Sequence, residues 1–373
     1  MPISPMDEYL AHQTSDTFDF VATSDKNFYD RYYFNAHASS DELFLVTGMG
    51  QYPNLGVTDA FVCISHGDTQ YVVRSSRELG SDRHDSSVGP FSVEVIEGLQ
   101  SLRVCCAENE WGVDFDLLWR GAVPALEEPK SFTRRHGRIT QDVSRYAQVG
   151  TWEGRLRVGG QEYEVTPDRW KGARDHSWGI RPVGEPEGPG IRVKDVAAGF
   201  GFFHNWMPMQ FDDYMIKVTI DEDQHGNRLL EESTKVWNHG IDKEPEDLGT
   251  PSVEIDYVSG TREIEKALVH FSHPSGRSLR CTNTPLRTVY LFGGSGYRFE
   301  EGWGHGVYQG PQKTEGLTYD LSTAEGRAAI AGIQETLCRF DLETGETGYG
   351  MHENMCLGVY RPNGFDDPFK MAP

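Results

Sequence analysis

The sequence has little positive charge for its size. Across 373 residues, 35 Lys and Arg stand against 57 Asp and Glu, so the formal net charge is −22 at pH 7. The field of such a chain repels phosphate backbones and anionic lipid surfaces. We therefore expect no nucleic-acid binding and no membrane insertion, and an apolar small molecule remains as the partner.

Long apolar runs and paired cysteine motifs are also missing. The longest apolar stretches, such as residues 43–46, are far too short to span a bilayer, and the N-terminus lacks the basic flank and apolar run of a signal peptide. The six cysteines show no C-x-x-C spacing, and Cys105 and Cys106 are adjacent, which indicates reduced thiols rather than disulfides or a zinc site. We expect a cytoplasmic protein, and homo-oligomer formation is left open.

Several enzyme signatures are absent from the sequence. The chain contains no G-x-S-x-G elbow, no H-E-x-x-H helix and no phosphate-binding P-loop. Two glycine-rich stretches, residues 48–50 and 293–296, do not open a helix after a strand, so bends or bulges explain them better than a dinucleotide site. No metal and no cofactor are therefore expected.

The chain does contain many short alternating segments. They are residues 42–46, 59–65, 70–75, 91–96, 102–108 and 113–119 in the first half, and 214–220, 234–237, 253–258, 265–272 and 278–282 in the second. Gly, Asp, Asn and Pro separate these segments, as in tight turns. The pattern predicts an all-β fold built from antiparallel sheets.

One segment predicts a helix instead. Ser322, with Glu325 three residues later, forms a capping signature ahead of an alanine-rich stretch. We expect one short helix over about 323–335, followed by a strand near 338–342. The stretch GEPEGPG at 184–190 can continue neither a strand nor a helix. We therefore expect two consecutive β domains, residues 1–184 and 185–373.

Polar and aromatic side chains crowd together in RDHSWGIR, residues 174–181. This window contains Arg174, Asp175, His176 and Trp178. A carboxyl group buried among aromatic rings keeps its proton at neutral pH, and an adjacent imidazole can relay that proton, so these residues suit protonation of an alkene. An internal Arg174–Asp175 ion pair, with Trp178 in the core, explains the same residues without catalysis.

A second aromatic window is GFGFFHNWMPMQFDDY, residues 199–214. In a strand over 200–206, alternate residues share one face, which groups Phe200, Phe202, His204 and Trp206. Aromatic faces can stabilise a carbocation, such as the one that alkene protonation creates. Ordinary core packing is the alternative explanation for these aromatic residues.

Two further segments place a histidine and an acid among glycines, EGWGHG at 301–306 and GYGMHE at 348–353. A ligand or another backbone can approach closely where glycine replaces a larger side chain. Trp303, His305 and Glu353 are therefore candidates for substrate binding. A barrel corner with solvent-facing histidines is the structural alternative.

The chain resembles the lipocalin-like superfamily of carotenoid 1,2-hydratases (hydroxyneurosporene synthases) and AttH-like proteins, to which kievitone hydratase and decalin-forming Diels–Alderases are related. The likeness is strongest over about residues 146–182, which include GTWEGRLRVGGQEYEV and GARDHSWGIRP. It extends more weakly to EGWGHGVY at 301–308 and GYGMHENMCLGVYRP at 348–362, and FYDRYYFNAH at 28–37 resembles bacterial members.

This resemblance implies two consecutive calycin-type β-barrel or sandwich domains around a ligand cavity, with no obligatory cofactor. The His and Trp that are implicated in alkene protonation in the hydratases match His176 and Trp178, and Asp175 matches the residue before that His. The hydratases also use a downstream Tyr-x-Asp pair, which this chain lacks. Asp212 and Tyr214 are among the nearest substitutes.

These features together predict a cofactor-independent lyase, a hydratase or dehydratase that acts on an apolar isoprenoid-like or polyketide-like alkene in a hydrophobic cavity. Asp175 or Asp212 would be the general acid, and His176 would be its proton partner. The other candidates would face the cation, line the cavity or hold water: Arg174, Trp178, Phe203, His204, Trp206, Tyr214, Trp303, His305 and Glu353. The alternatives are a cyclase or isomerase that only orients its substrate and a non-catalytic binder of apolar molecules.

Overall fold

A computed structural model describes residues 3–183, 200–300 and 302–373 of the chain. Strands account for 57% of the structure and helices for 5%. The expected boundary stretch at 184–190 lies outside the described residues. None of the helices in the described ranges has the length and the apolar character that a bilayer crossing requires.

Twenty-three strands and one α-helix follow one another along the described chain. The first half contains β1 (Phe28–His37), β2 (Leu43–Tyr52), β3 (Val57–His66), β4 (Thr69–Glu78), β5 (Ser87–Val88), β6 (Phe91–Glu97), β7 (Ser101–Cys106), β8 (Val113–Gly121), β9 (Leu126–Glu127), β10 (Ser131–Arg135), β11 (Arg138–Val158), β12 (Gln161–Val165) and β13 (Lys171–Ile180). The second half contains β14 (Gly201–Gln210), β15 (Tyr214–Asp223), β16 (Arg228–Trp237), β17 (Glu246–Asp247), β18 (Thr250–Tyr257), β19 (Ile264–Ser272), β20 (Ser278–Tyr290), β21 (Gln312–Asp320), α1 (Ala324–Ala329), β22 (Gln334–Leu342) and β23 (Thr347–Gly358). Short 3-10 helices cover Pro5–Glu8, Pro53–Leu55 and Arg361–Asn363.

The strands form two antiparallel sheets, which confirms the all-β prediction. The first sheet has the order β21-β4-β3-β2-β1-β13-β11-β8-β7-β6-β5, with β9, β10 and β12 added along β11, and it curls into a barrel. The second sheet has the order β17-β16-β15-β14-β23-β22-β20-β19-β18 and forms a half-barrel. Both sheets therefore have a concave face and a convex face.

One strand of the first sheet comes from the second half of the chain. β21 pairs with β4 along its whole length, and Arg74 on β4 forms an ion pair with Glu315 on β21. The first barrel therefore includes residues from beyond position 184. The division into domains 1–184 and 185–373 stays a prediction.

Local sequence explains one of the two-residue hairpins, the one between β11 and β12. Between β11 and β12 stand only Gly159 and Gly160, with φ of +57° and +78°. A two-residue turn with positive φ at both positions matches the right-handed twist of the paired strands, and glycine adopts that conformation without strain. These two residues therefore fix the register of the hairpin.

Alternation along the strands sorts most of the buried apolar side chains of the described residues into three large cores, beside a small fourth cluster around Tyr29, Tyr52 and Val143. The first fills the barrel and includes Trp119 and Trp152. The second lies between the two sheets and includes Tyr33 and Trp206. The third fills the half-barrel and includes Phe203. Because successive side chains of a strand point to opposite sides, each strand near the contact of the sheets contributes to two cores.

The helix is shorter than the sequence predicts. It begins after Thr323, whose hydroxyl accepts a hydrogen bond from the Gly326 N–H at 3.0 Å, and it spans only Ala324–Ala329. Residues 334 and 335, expected in the helix, begin β22, which pairs with both β20 and β23. The backbone hydrogen bonds of a central strand outweigh a weak helix propensity here.

Candidate active site between the two sheets

A cavity of about 140 Å³ lies between the two sheets. One wall comes from the outer face of β1, β11 and β13, and the other comes from β14, β22 and β23. Its titratable lining includes Arg31, Arg145, Asp175, His204, Glu335 and Glu353. The cavity therefore carries more charge than the hydrophobic pocket expected from the sequence.

Strand alternation decides which part of the 174–181 window reaches this cavity. Asp175 and Ser177 line it, whereas His176 lies on the opposite face of β13 because neighbouring residues of a strand point to opposite sides. The register of the sheet places Tyr33 of β1 and Ala147 of β11 beside Asp175. Asp175 thus faces the second sheet.

The second sheet adds two acids and an indole in one transverse row. The register pairs Trp206 of β14 with Glu353 of β23, and Glu353 with Glu335 of β22. Residues directly opposite each other share a face, with Cβ atoms about 5 Å apart. The two carboxyl groups therefore lie side by side, with the indole next to Glu353.

Glu335 is the most deeply buried acid of the cavity, with 1% of its surface exposed. Its Oε2 accepts a hydrogen bond from the Tyr33 hydroxyl at 3.2 Å. Burial, reinforced by the neighbouring Glu353 carboxylate, raises the pKa of Glu335 well above its usual value. Burial therefore disfavours ionisation of Glu335 and favours its protonated form.

Asp175 sits at the end of a chain of ion pairs that crosses from one sheet to the other. Its Oδ2 lies 3.8 Å from Arg145 Nε, and burial raises the pKa of Asp175 despite that cation. Arg145 Nη1 is 3.5 Å from Glu128 Oε2. Glu128 in turn accepts the Trp206 Nε1–H at 2.7 Å and lies 3.2 Å from Lys217 Nζ. These ion pairs, together with the hydrogen bond to Glu128, hold the Trp206 indole in place.

His204 supplies a cation to the cavity. Its Nδ1–H donates to Asp221 Oδ1 at 2.5 Å, and its Nε2 lies 3.7 Å from Glu353 Oε2. Burial alone would lower the pKa of His204, but the carboxylates of Asp221 and Glu353 raise it to about 9. The imidazolium therefore faces the Glu353 carboxylate at neutral pH.

Arg31 brings an unused hydrogen-bond donor to the cavity. Its Nη2 donates to His305 Nε2 at 2.8 Å, and its guanidinium carbon lies 4.6 Å from the centre of the Tyr297 ring. Burial, together with Arg31, lowers the pKa of His305 to about 4, so the imidazole is neutral and can accept this bond. Among the described residues, the buried Nη1 of Arg31 has no hydrogen-bond partner. Because the Arg31 side chain lines the cavity, a small movement of its guanidinium would bring this N–H to an oxygen atom bound there.

His176 belongs to a different cluster, on the other face of β13. Its Nε2 lies 2.7 Å from Asp30 Oδ1, and its Nδ1 lies 3.1 Å from the Tyr146 hydroxyl. Trp178, which is 39% exposed, lies beside it with ring centres 5.5 Å apart. The structure therefore does not bring Asp175 and His176 together.

Arg174 is also directed away from Asp175. Its Nε and Nη2 donate to Gln148 Oε1 at 2.8 and 2.5 Å, and its guanidinium lies 5.2 Å from the centre of the Tyr146 ring. Arg174 thus bonds to a neutral amide, and the internal Arg174–Asp175 ion pair considered from the sequence does not form.

Four other predicted site residues lie away from the cavity. Phe203 packs in the core of the half-barrel, and Tyr214 in the same core donates to Glu346 Oε1 at 2.7 Å. Asp212 is exposed in the turn between β14 and β15. Trp303 is buried beneath the guanidinium of Arg74, 4.5 Å from the ring centre. Their predicted contacts with a substrate gain no support from this arrangement.

Four of the residues proposed from the sequence line the cavity, namely Asp175, His204, Trp206 and Glu353. His305, which was expected to hold water or a substrate hydroxyl, is hydrogen-bonded to Arg31 and is not part of the lining. The sequence did not indicate Glu335, because residue 335 was expected to lie in the helix. It also did not indicate Arg31 or Arg145. The stretch FYDRYYFNAH carried a signal for Arg31, since on one face of a strand there Arg31 lies between Tyr29 and Tyr33. No sequence signal relates Arg145 to the second sheet.

The arrangement combines a buried carboxyl whose protonated form is favoured, a second carboxyl group, an imidazolium and an unpaired guanidinium N–H around a small cavity. These groups can donate a proton, accept a proton and hold an oxygen atom without a bound cofactor. Within the ranges that the structure describes, no cluster of three or more His, Cys, Asp or Glu side chains is placed to hold a metal ion.

Solved structures with a similar fold include a protein of Nitrosomonas europaea provisionally identified as AttH. It is 13% identical, with a TM-score of 0.53 over 95% of this chain and 99% of that one. Kievitone hydratase from Nectria haematococca is 12% identical, with a TM-score of 0.45 over 87% and 88% of the two chains. CghA is 9% identical, with a TM-score of 0.46 over 89% of each chain.

The likeness to the Nitrosomonas europaea protein supports a lipocalin-like β-barrel fold, in agreement with the expected fold class. At such low identity the likeness concerns the fold and not the reaction. No curated protein matches the sequence. A family model, described as a family of unknown function (DUF8625), matches residues 3–366. The chain therefore belongs to the DUF8625 family.

Proposed function

We propose that the chain is a cofactor-independent lyase that adds water to a carbon–carbon double bond, or removes it, by acid–base catalysis between the two sheets. The observation that supports this most strongly is Glu335, a buried carboxyl whose protonated form is favoured, beside the carboxylate of Glu353. The resemblance of the 174–181 window to the carotenoid hydratases suggests the same reaction class, but the His176 and Trp178 that it implicates lie outside this cavity.

Each proton transfer of this reaction has both its donor and its acceptor within the cavity. In the hydration direction, the Glu335 carboxyl gives its proton to one carbon of the double bond, and a water oxygen forms a bond to the other carbon. That water loses a proton to the Glu353 carboxylate. A proton transfer from Glu353 back to Glu335, its neighbour across the strands, restores the starting state.

The lining also suggests the substrate. A free carbocation beside Arg31 and Arg145 would meet two positive charges, so a double bond conjugated to a carbonyl or carboxylate group fits better. The unpaired Nη1–H of Arg31 would hold that oxygen as charge develops on it. Phe202 and Trp206 offer an apolar wall. A cavity of about 140 Å³ holds the reacting end of a molecule, since whole ligand sites usually enclose roughly 300–1,000 Å³.

Turnover in heavy-oxygen water tests the proposal. Purified protein is incubated with short alkenes conjugated to a carbonyl or carboxylate, and with longer isoprenoid alkenes, and the products are analysed by mass spectrometry. We expect labelled alcohol from the conjugated substrates. Glu335→Gln should lower the rate by about 100-fold or more, the usual contribution of a general acid. Glu265→Gln, which changes an exposed glutamate of β19, should leave the rate unchanged.

The other functions considered from the sequence give different results in the same experiment. A rearranged product without label would support a cyclase or isomerase, and binding without any product would support a carrier. Labelled product formed equally fast by Glu335→Gln would contradict the role of Glu335.

A further inference from the structure

A second and larger pocket lies on the other side of the second sheet. It encloses about 600 Å³ between α1, the turn between β18 and β19, and the ends of β22 and β23, a volume within the range of small-molecule sites. Its apolar lining includes Phe292, Ala328, Ala331, Cys356, Leu357 and Met371. The first cavity does not share any of these residues.

Alternation keeps the two sites apart. Glu335 and Glu353 line the cavity between the sheets, and the residues next to them, Gln334 and Asn354, line the second pocket on the opposite face. Gln334 and Asn354 are paired across β22 and β23. The same two strands therefore serve both sites, with different side chains.

The two amides have unsatisfied hydrogen-bonding capacity. Gln334 is 3% exposed and Asn354 is 1% exposed. Within the part of the chain that the structure describes, Gln334 Oε1 and Asn354 Oδ1 are buried without a hydrogen-bond partner. Leaving a buried polar atom unpaired is unfavourable, so such atoms in a pocket wall indicate a missing polar partner.

We infer that this pocket binds an apolar small molecule that carries a hydroxyl group. The apolar lining would enclose the hydrocarbon part. The hydroxyl would donate to one of the two unpaired oxygens, Gln334 Oε1 or Asn354 Oδ1, after a small rotation about the last side-chain torsion of that amide, which is a soft torsion. A hydroxyl can donate and accept, so it pairs with either end of an amide. This inference is independent of the reaction proposed for the cavity between the sheets.

The test compares two probes of similar size, 2-naphthol and 2-methylnaphthalene, by isothermal titration calorimetry on the full chain. We expect one molecule of 2-naphthol to bind, about fivefold to tenfold more tightly than 2-methylnaphthalene, which is the usual effect of one hydrogen bond. Gln334→Leu and Asn354→Leu should remove this preference while retaining the binding of both probes.

Two tryptophan variants locate the site. Ala331→Trp should fill the pocket and abolish binding, whereas Ala329→Trp changes an exposed helix residue outside the lining and should bind 2-naphthol like the wild type. Ala328→Trp provides a second blocking variant if Ala331→Trp unfolds. The inference is overturned if 2-naphthol does not bind, if the two probes bind equally to the wild type, or if folded blocking variants bind normally.

Discussion

Glu335 occupies a position where ionisation is unfavourable, and this links the stability of the fold to pH. In the unfolded chain a glutamate ionises near its ordinary pKa, but in the folded chain burial and Glu353 raise the pKa of Glu335. Between these two values the folded state binds more protons than the unfolded state. The contribution of Glu335 is therefore most favourable at low pH and is lost as the pH rises towards the folded-state pKa.

The variant Glu335→Gln should therefore be more stable than the wild type at pH 8 and equally stable at pH 4. Glutamine imitates the protonated carboxyl and does not titrate, so it avoids a cost of about 1.4 kcal/mol for each pH unit between the two pKa values. Thermal unfolding at both pH values measures the effect, with Glu265→Gln as the control. A loss of stability that is larger at pH 8 than at pH 4 would show that Glu335 is ionised and favourably paired in the folded protein, and an equal loss at both pH values would show that its pKa does not change on folding.

Adjacent residues of β13 should have separable effects on the rate. Asp175→Asn removes a carboxyl from the cavity, and we expect the rate of the labelled-water reaction to fall about tenfold or more. His176→Asn changes the opposite face, where it breaks contacts with Asp30 and Tyr146. It should cost about 1–2 kcal/mol of stability and change the rate by less than about threefold.

Steady-state kinetics and chemical denaturation of both variants give the comparison. A His176→Asn protein that is stable but inactive would restore the role that the sequence resemblance implies for this residue. It would also place the chemistry inside the first barrel rather than between the sheets.

At the scale of strands, period-two alternation explains both the success and the failure of the sequence predictions. Applied to 200–206, it placed His204 and Trp206 on one face, as observed. The same rule separates Asp175 from His176, because adjacent residues cannot share a face of a regular strand. Recognising Glu335 depended on starting the strand at residue 334, whereas the sequence extended the expected helix to about residue 335 and began the strand only near 338.

The sequence does not show which distant strands pair, or in which register they do so. Tyr33, Asp175 and Ala147 lie in one row only because β13 is inserted between β1 and β11. The pairing of β1 with β13 joins segments more than a hundred residues apart, and no local pattern specifies it. The residue types of the site could be predicted in part, but their neighbours could not.

β1 and β13 approach so closely at Gly172, in the window GARDHSWGIRP, that a side chain there would not fit. A Cβ atom on Gly172 would lie 2.0 Å from the Asn35 carbonyl oxygen and 2.6 Å from Trp152 Nε1. Gly172→Ala should therefore push the strands apart and cost about 2–3 kcal/mol of unfolding free energy.

Urea denaturation measures this cost. Gly98→Ala is a matched control, since nothing lies within 4 Å of its added Cβ and Gly98 does not require a positive φ. If both alanine variants were as stable as the wild type, the strand contact at Gly172 would be looser than the structure shows.

At the scale of the whole molecule, the two sheets depend on each other. The core between them contains Tyr33, Val46 and Ala173 from the first sheet and Trp206 and Leu337 from the second. β21 crosses back to complete the first barrel. Ion pairs of Glu128 with Lys217 connect the sheets at the edge of the cavity.

A fragment that ends at residue 183 should therefore fail to fold on its own. It lacks β21 and leaves an apolar sheet face uncovered, so we expect aggregation and no cooperative unfolding transition, whereas the full chain unfolds cooperatively. Circular dichroism during thermal unfolding, with analytical ultracentrifugation, provides the measurement. A soluble fragment with a sharp transition would instead show that residues 1–184 form an independent domain.

The central claim is that the cavity between the sheets holds a proton donor at neutral pH. Infrared spectroscopy of the full chain with isotope-labelled glutamate detects the carbonyl stretch of a protonated carboxyl group directly. We predict that the wild type shows this band at pH 7 and that Glu335→Gln lacks it, while Glu265→Gln retains it. A wild-type spectrum at pH 7 without any protonated glutamate would contradict the account.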